Sequence, residues 1–102
     1  VSGETISRAD GDGAGHRRRV AITNQRGLHA RAAAKFVTVA GEFEAVVTVR
    51  KDGAVVSGQS IMGLMMLAAG PGCEIEIETR GAQAADALEA LVRLVDARFE
   101  EH

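Results

Sequence analysis

The sequence predicts an α+β domain built as a two-layer open-faced sandwich, and three observations carry that expectation. The apolar pattern switches between a period of two and a period of 3.6 in the order βαββαβα. The dipeptide Asp52-Gly53 separates two strand patterns by a two-residue hairpin turn, which makes the sheet mostly antiparallel. At 102 residues the chain is long enough for one core and too short for two, so three helices and four strands must share it. Helices covering one face of the sheet satisfy that limit.

The first eighteen residues carry Gly, Asp, Ser and Arg without apolar periodicity and are expected to be a disordered extension, with the domain running from 19 to 102. His16, beside Arg17 and Arg18, reads as part of a solvated basic cluster just before a strand. Val20 and Ile22 alternate with Ala21 and Thr23, the period of a half-buried strand, until "NQRG" breaks it. Ala33, Phe36, Val37 and Ala40 then fall on one helical stripe, which Gly41 ends. Phe43, Ala45, Val47 and Val49 form a second strand pattern, and "AVVS" returns beyond Asp52-Gly53 as its hairpin partner. From Ser60 the pattern is helical again through "SIMGLMMLAAG", until Gly70, Pro71 and Gly72 stop it. Cys73, Ile75 and Ile77 alternate with Glu74, Glu76 and Glu78, giving a fourth strand with an acidic, solvated outer face and Cys73 as a small core residue. Ala84, Leu88, Leu91, Val92, Val95 and Phe99 make a continuous stripe on the last helix, with Glu89 and Arg93 paired at i, i+4 on its wet side.

Composition narrows the function. A net charge of -2 lacks the basic surplus that a nucleic-acid surface needs, and the absence of Trp and Tyr removes the usual platforms for stacking bases or sugars. One cysteine cannot form an internal disulfide, and no apolar run reaches spanning length, so a cytoplasmic protein without membrane insertion is expected. Three scattered histidines and one cysteine fit no zinc spacing, and neither a metal nor another cofactor is expected.

The stretch "GLHARAAAKFV" places His29 immediately before a helix. A helix start carries free N–H groups and the positive end of the helix dipole, which together favour an anion and oppose formation of an imidazolium. A histidine there can keep one ring nitrogen unprotonated for attack on phosphorus. The backbone N–H groups of Ala30 and Arg31 can receive phosphate oxygens, and the Arg31 guanidinium adds a permanent cation with a planar fork. Phosphoryl transfer needs little beyond positioning and charge stabilisation. On chemistry alone, a histidine that merely caps a helix would look the same.

The segment resembles the phosphorylation segment of the HPr family, the histidine-containing phosphocarrier proteins of the bacterial phosphoenolpyruvate-dependent phosphotransferase system. The similarity continues through "SGQSIMGLMML" and "GCEIEIETRG" over residues 19 to 102. It implies a sheet of strand order 1-4-2-3 covered on one face by three helices. It implies that His29 accepts a phosphoryl group on Nδ1 from enzyme I and passes it to an enzyme IIA component, that Arg31 assists, and that the protein is a monomeric carrier rather than an enzyme. The family often has proline right after the His-x-Arg triplet, where this chain has Ala32, and a small or polar residue where it has Arg26. Ala32 adds an N–H that proline lacks. Similar "HARA" segments resemble those of alphaproteobacterial relatives whose relay serves nitrogen-linked regulation, so sugar transport and nitrogen regulation both stay open.

Ser60 reads first as an N-cap. "QSIMG" also resembles the regulatory serine site phosphorylated by HPr kinase/phosphorylase, with Ser60 as acceptor. Behind it, Ile61, Met62, Leu64, Met65, Met66 and Leu67 occupy nearly every direction around the helix, more than one buried stripe needs. Periodicity alone fits either core filler or adaptable docking contacts; the resemblance favours docking by Ile61, Met62 and Met65. Two other classes remain: a ferredoxin-like ligand-sensing domain, which needs no His-x-Arg pair at a helix start, and an acylphosphatase-like hydrolase, which would turn substrate over.

Overall fold

The computed structural model describes residues 15–101. Most of the expected N-terminal extension therefore lies outside the described residues. The elements are β1 (His16–Ala21), α1 (Ala30–Ala40), β2 (Val46–Lys51), β3 (Ala54–Ser57), α2 (Ile61–Met66), β4 (Glu74–Arg80) and α3 (Ala84–Asp96), followed by a tight turn over Arg98–Glu100. The strands form one sheet of order β1-β4-β2-β3, antiparallel throughout. Fold class, element order and strand order agree with the expectation.

The period of two explains the layers. Val20, Val47, Val49, Ile75 and Ile77 point to one face, where they are buried with Phe36 of α1 and Leu91 and Val95 of α3. The β2–β3 register places Lys51 opposite Ala54, and Asp52 (φ 50°) and Gly53 (φ 86°) both take the left-handed conformation that a tight hairpin turn requires. Glu89 and Arg93 pair at 3.1 Å on the exposed side of α3.

Four expectations need correction. Strand β1 begins at His16, so residues 16–18, assigned above to the extension, belong to the sheet. None of the three is apolar: Arg17 lies across from Glu78, as Arg19 does from Glu76, so apolar periodicity could not mark the start of this edge strand. Next, α2 stops at Met66, before Gly70, because Ala68 turns left-handed (φ 53°) and brings Leu67 and Ala69 into the core. Third, Glu78 is not solvated. It is 3% exposed, with Arg50 donating to it at 2.6 Å and Arg80 Nε at 3.1 Å.

Fourth, Phe99 is buried but does not extend the α3 stripe. The helix ends at Asp96, and Arg98, Phe99 and Glu100 adopt left-handed φ values of 58°, 54° and 60°. That conformation costs about 1–2 kcal/mol per residue without glycine. Burial of Phe99 returns about 1.5–3 kcal/mol, and Lys35 Nζ donates to the Phe99 carbonyl at 2.9 Å. The turn thus folds the end of the chain back over α1.

The Arg50 hydrogen bond, opposed by burial and aided by Arg80, holds the Glu78 carboxyl below its ordinary value of 4.5. A lowered folded-state value stabilises the fold above the unfolded value, and this contribution is lost as pH falls through the folded one. The thermal midpoint should therefore drop on acidification below about pH 4.5, and Glu78→Gln, less stable at neutral pH, should lose less over the same interval. Melting curves from neutral to acid pH check this; parallel acid limbs for both proteins would contradict it.

Candidate functional site

The loop before α1 sets the position of His29. Asn24 Nδ2 donates to the Gly27 carbonyl at 2.8 Å, and Leu28 N–H donates to the Ala69 carbonyl at 2.8 Å while its side chain is buried. Gly27 has φ 66°, and a Cβ there would stand 2.5 Å from the Ala69 carbonyl oxygen. Only glycine fits this approach between the loop and the segment that follows α2.

His29 then caps α1 with extended backbone (φ -76°, ψ 179°). Its carbonyl accepts from Ala33 N–H at 2.8 Å, and its Nδ1 accepts from Ala32 N–H at 3.4 Å. The added donor at Ala32 is therefore spent on the ring. Ala30 and Arg31 supply the first two N–H groups of α1, which no carbonyl of the same helix can satisfy. Arg31 is exposed on this first turn and borders, with Gln25, Arg26, His29 and Lys35, a depression of about 240 Å³. His29, Ala30 and Arg31 thus meet at one helix end, as the sequence led us to expect.

A carboxylate that sequence reasoning missed completes the depression. Glu101 Oε1 accepts from Arg26 N–H at 3.3 Å, and Glu101 Oε2 lies 3.5 Å from His29 Nε2. Both of these facing atoms are closed off from solvent. Burial pushes the Glu101 carboxyl up, but the Arg26 N–H, Asn24, Gln25 and His29 outweigh it and leave the carboxyl below its ordinary value. No spacing rule links positions 29 and 101; only the turn at Arg98–Glu100 joins them.

Ser60 caps α2, its Oγ accepting from Gly63 N–H at 2.9 Å. Within α2 the separation of roles is sharp. Leu64 is fully buried, whereas Met62 is 70% and Met66 78% exposed, and Ile61 and Met65 are exposed to a lesser degree. Helix α2 packs against α1, so this apolar surface and the His29 end belong to neighbouring elements. Cys73 is half-buried at the head of β4 rather than fully in the core. Among the described residues no cluster of His, Cys, Asp or Glu could hold a metal ion, and no helix is long and apolar enough to cross a membrane.

Known proteins resemble this chain in sequence and fold. The family model described as the PTS HPr component phosphorylation site matches residues 16–97. The phosphocarrier protein HPr of Pseudomonas putida is 52% identical over 85 residues, which cover 82% of this chain and 94% of that one. The phosphocarrier protein NPr of Shewanella violacea is 44% identical over 84 residues, 82% of this chain and 92% of that one. Among solved structures, the phosphocarrier protein HPr of Bacillus anthracis superposes with a TM-score of 0.77 at 46% identity, covering 80% of this chain and 98% of that one. A family match that spans the whole sheet, with identity near one half, settles the kinship: this chain belongs to the HPr family, the phosphocarrier proteins of the phosphotransferase system, which carry a phosphoryl group and are not catalytic enzymes.

Proposed function

We propose that His29 accepts a phosphoryl group on Nδ1 from enzyme I and passes it to an enzyme IIA component, in sugar transport or in nitrogen regulation. The observation that carries this reading is the placement of His29 as N-cap of α1, beside the first two N–H groups of the helix, which no carbonyl of that helix can satisfy, with Nε2 enclosed. Enclosure of Nε2 leaves Nδ1 as the nitrogen for the donor to reach. The bound phosphoryl oxygens then face two backbone donors, the positive end of the helix and the Arg31 guanidinium. One chain supplies every group of the site, so a monomer suffices.

Docking falls to the neighbouring surface. Ile61, Met62 and Met65 give adaptable apolar contact, which suits a carrier that must meet a donor and an acceptor in turn. Regulation by HPr kinase/phosphorylase at Ser60 would place nearly two negative charges at the edge of that surface. Residues 1–15 lie outside the carrier domain in this reading, and the carrier works in the cytoplasm.

Incubation with phosphoenolpyruvate and enzyme I should add one acid-labile phosphate, read by intact mass. His29→Ala should take up none while keeping its thermal midpoint, and Arg31→Ala should slow uptake by up to about a hundredfold without abolishing it. Acid-labile phosphate on His29→Ala would overturn the assignment. Transfer from the phosphorylated protein to enzyme IIA components of each branch identifies the acceptor.

Two roles for Ser60 give different outcomes. As a cap alone, Ser60→Ala should cost about 1 kcal/mol of stability, and Ser60→Asp should be neutral for both folding and transfer. As a regulatory site, Ser60→Asp should keep its stability yet slow phosphorylation by enzyme I, because a carboxylate then stands beside Ile61 and Met62. We expect the second outcome; a transfer rate equal to that of the unsubstituted protein would leave Ser60 a cap.

A further inference from the structure

All three methionines of the chain fall on α2, and none of them fills the core. Ala, Val, Leu, Ile and Phe alone build the buried cluster, so methionine is not used here to close irregular gaps. Of the six large apolar side chains left exposed among the described residues, four are Ile61, Met62, Met65 and Met66 of this one helix. Met62 and Met66 stand at i and i+4, hence on one face, 70% and 78% exposed, while Leu64 anchors the opposite side. Met65 is less open, and the one other sulfur atom, in Cys73, is half-buried. The thioethers most open to solvent are thus gathered on the surface to which docking is assigned.

We propose that Met62 and Met66 form an oxidant-sensitive modification site, at which a hydroperoxide converts the thioethers to sulfoxides and lowers phosphoryl flow from enzyme I. The proposal rests on the reading of His29 as phosphoryl acceptor and of α2 as a docking surface. In the step, a sulfur lone pair attacks one peroxide oxygen, and the S–O bond forms as the O–O bond breaks. The proton of the attacked oxygen passes to the departing one, which leaves as water or an alcohol; sulfur is oxidised by two electrons and the peroxide reduced by two. No protein base is needed, and no packed contact has to open, because both side chains already face solvent. A sulfoxide is polar and accepts hydrogen bonds, so a partner that covers Met62 must strip water from it without a matching donor. Docking weakens. The chemistry at His29 is left intact, since among the described residues no α2 side chain borders the His29 depression. Methionine sulfoxide reductases, one for each sulfoxide epimer, return the thioether and make the modification reversible.

The test treats the whole chain with hydrogen peroxide and locates each added oxygen by peptide mass; Met62 and Met66 should gain oxygen before Met65. The oxidised protein should accept phosphate from limiting enzyme I on the order of tenfold more slowly, the cost of one polar group covered without a partner. It should keep its rate with the small phosphoryl donor phosphoramidate, which needs no docking surface, and recover its enzyme I rate after the reductases act. In the double variant Met62→Leu/Met66→Leu, treated and untreated rates with enzyme I should agree, a comparison internal to that protein. An equal loss in the double variant would place the effect elsewhere and overturn the proposal, as would loss of the phosphoramidate rate on oxidation. Met62→Gln, polar without any oxidant, separates the remaining failures. If it is slow with enzyme I while the oxidised protein is not, the proposal falls and the docking surface stands; if neither is slow, both fall. If the untreated protein took up no phosphate from either donor, the carrier reading itself would fall, and this site with it.

Discussion

The site depends on one constraint: the chain must enter α1 at His29 and nowhere else. The Leu28 N–H to Ala69 carbonyl bond and the glycine-only approach at Gly27 lock the loop onto the segment after α2, and the buried stripe of α1 fixes the helix that follows. A shift of one residue would rotate the imidazole by about 100° around the helix axis and carry it away from the first N–H groups of α1. The order β1-β4-β2-β3 matters here because it brings β4 beside β1, where Ile22 N–H donates to the Cys73 carbonyl and Gly72 N–H to the Ile22 carbonyl. The start of the His29 loop is thereby tied to the entry of β4, and its end to the segment after α2 through Leu28.

Two opposed electrostatic influences meet on the ring. The N-terminus of α1 lies on the Nδ1 side of the ring, and the Glu101 carboxylate stands 3.5 Å from Nε2. A phosphocarrier has to accept and release the same group with little net change in free energy, and a site that stabilises only one state would trap it. In the proposed carrier, the α1 N-terminus and Arg31 would face a phosphoryl group on Nδ1 while Glu101 stands on the Nε2 side. The strained turn that delivers Glu101 is tied to α1 through Lys35 and to the core through Phe99, so the carboxylate is held by contacts distant in sequence.

Much of this was legible in the chain. Val47, Val49, Ile75 and Ile77 reveal the sheet through their period of two, Asp52-Gly53 its hairpin, and the Ala33, Phe36 and Ala40 stripe the helix that His29 caps. These are local signals with a single strong period. Three features were illegible for the same reason in reverse. Strand β1 begins with His16, Arg17 and Arg18, which carry no apolar alternation, and Arg17 faces Glu78 across the strands. Glu78 looks solvated by periodicity because burial on the outer face comes from arginines of β2 and of its own strand. Glu101 belongs to the site only because Arg98, Phe99 and Glu100 adopt a conformation that sequence propensity disfavours. Tertiary contacts decide all three, and no spacing along the chain encodes them.

The central claim is that the phosphoryl group is carried on Nδ1 of His29. The most direct measurement is the ¹⁵N and ³¹P spectrum of the phosphorylated, ring-labelled protein. Our account predicts phosphorus coupling at the Nδ1 nitrogen of His29. Coupling at Nε2, or phosphorus carried by any residue other than His29, would contradict it.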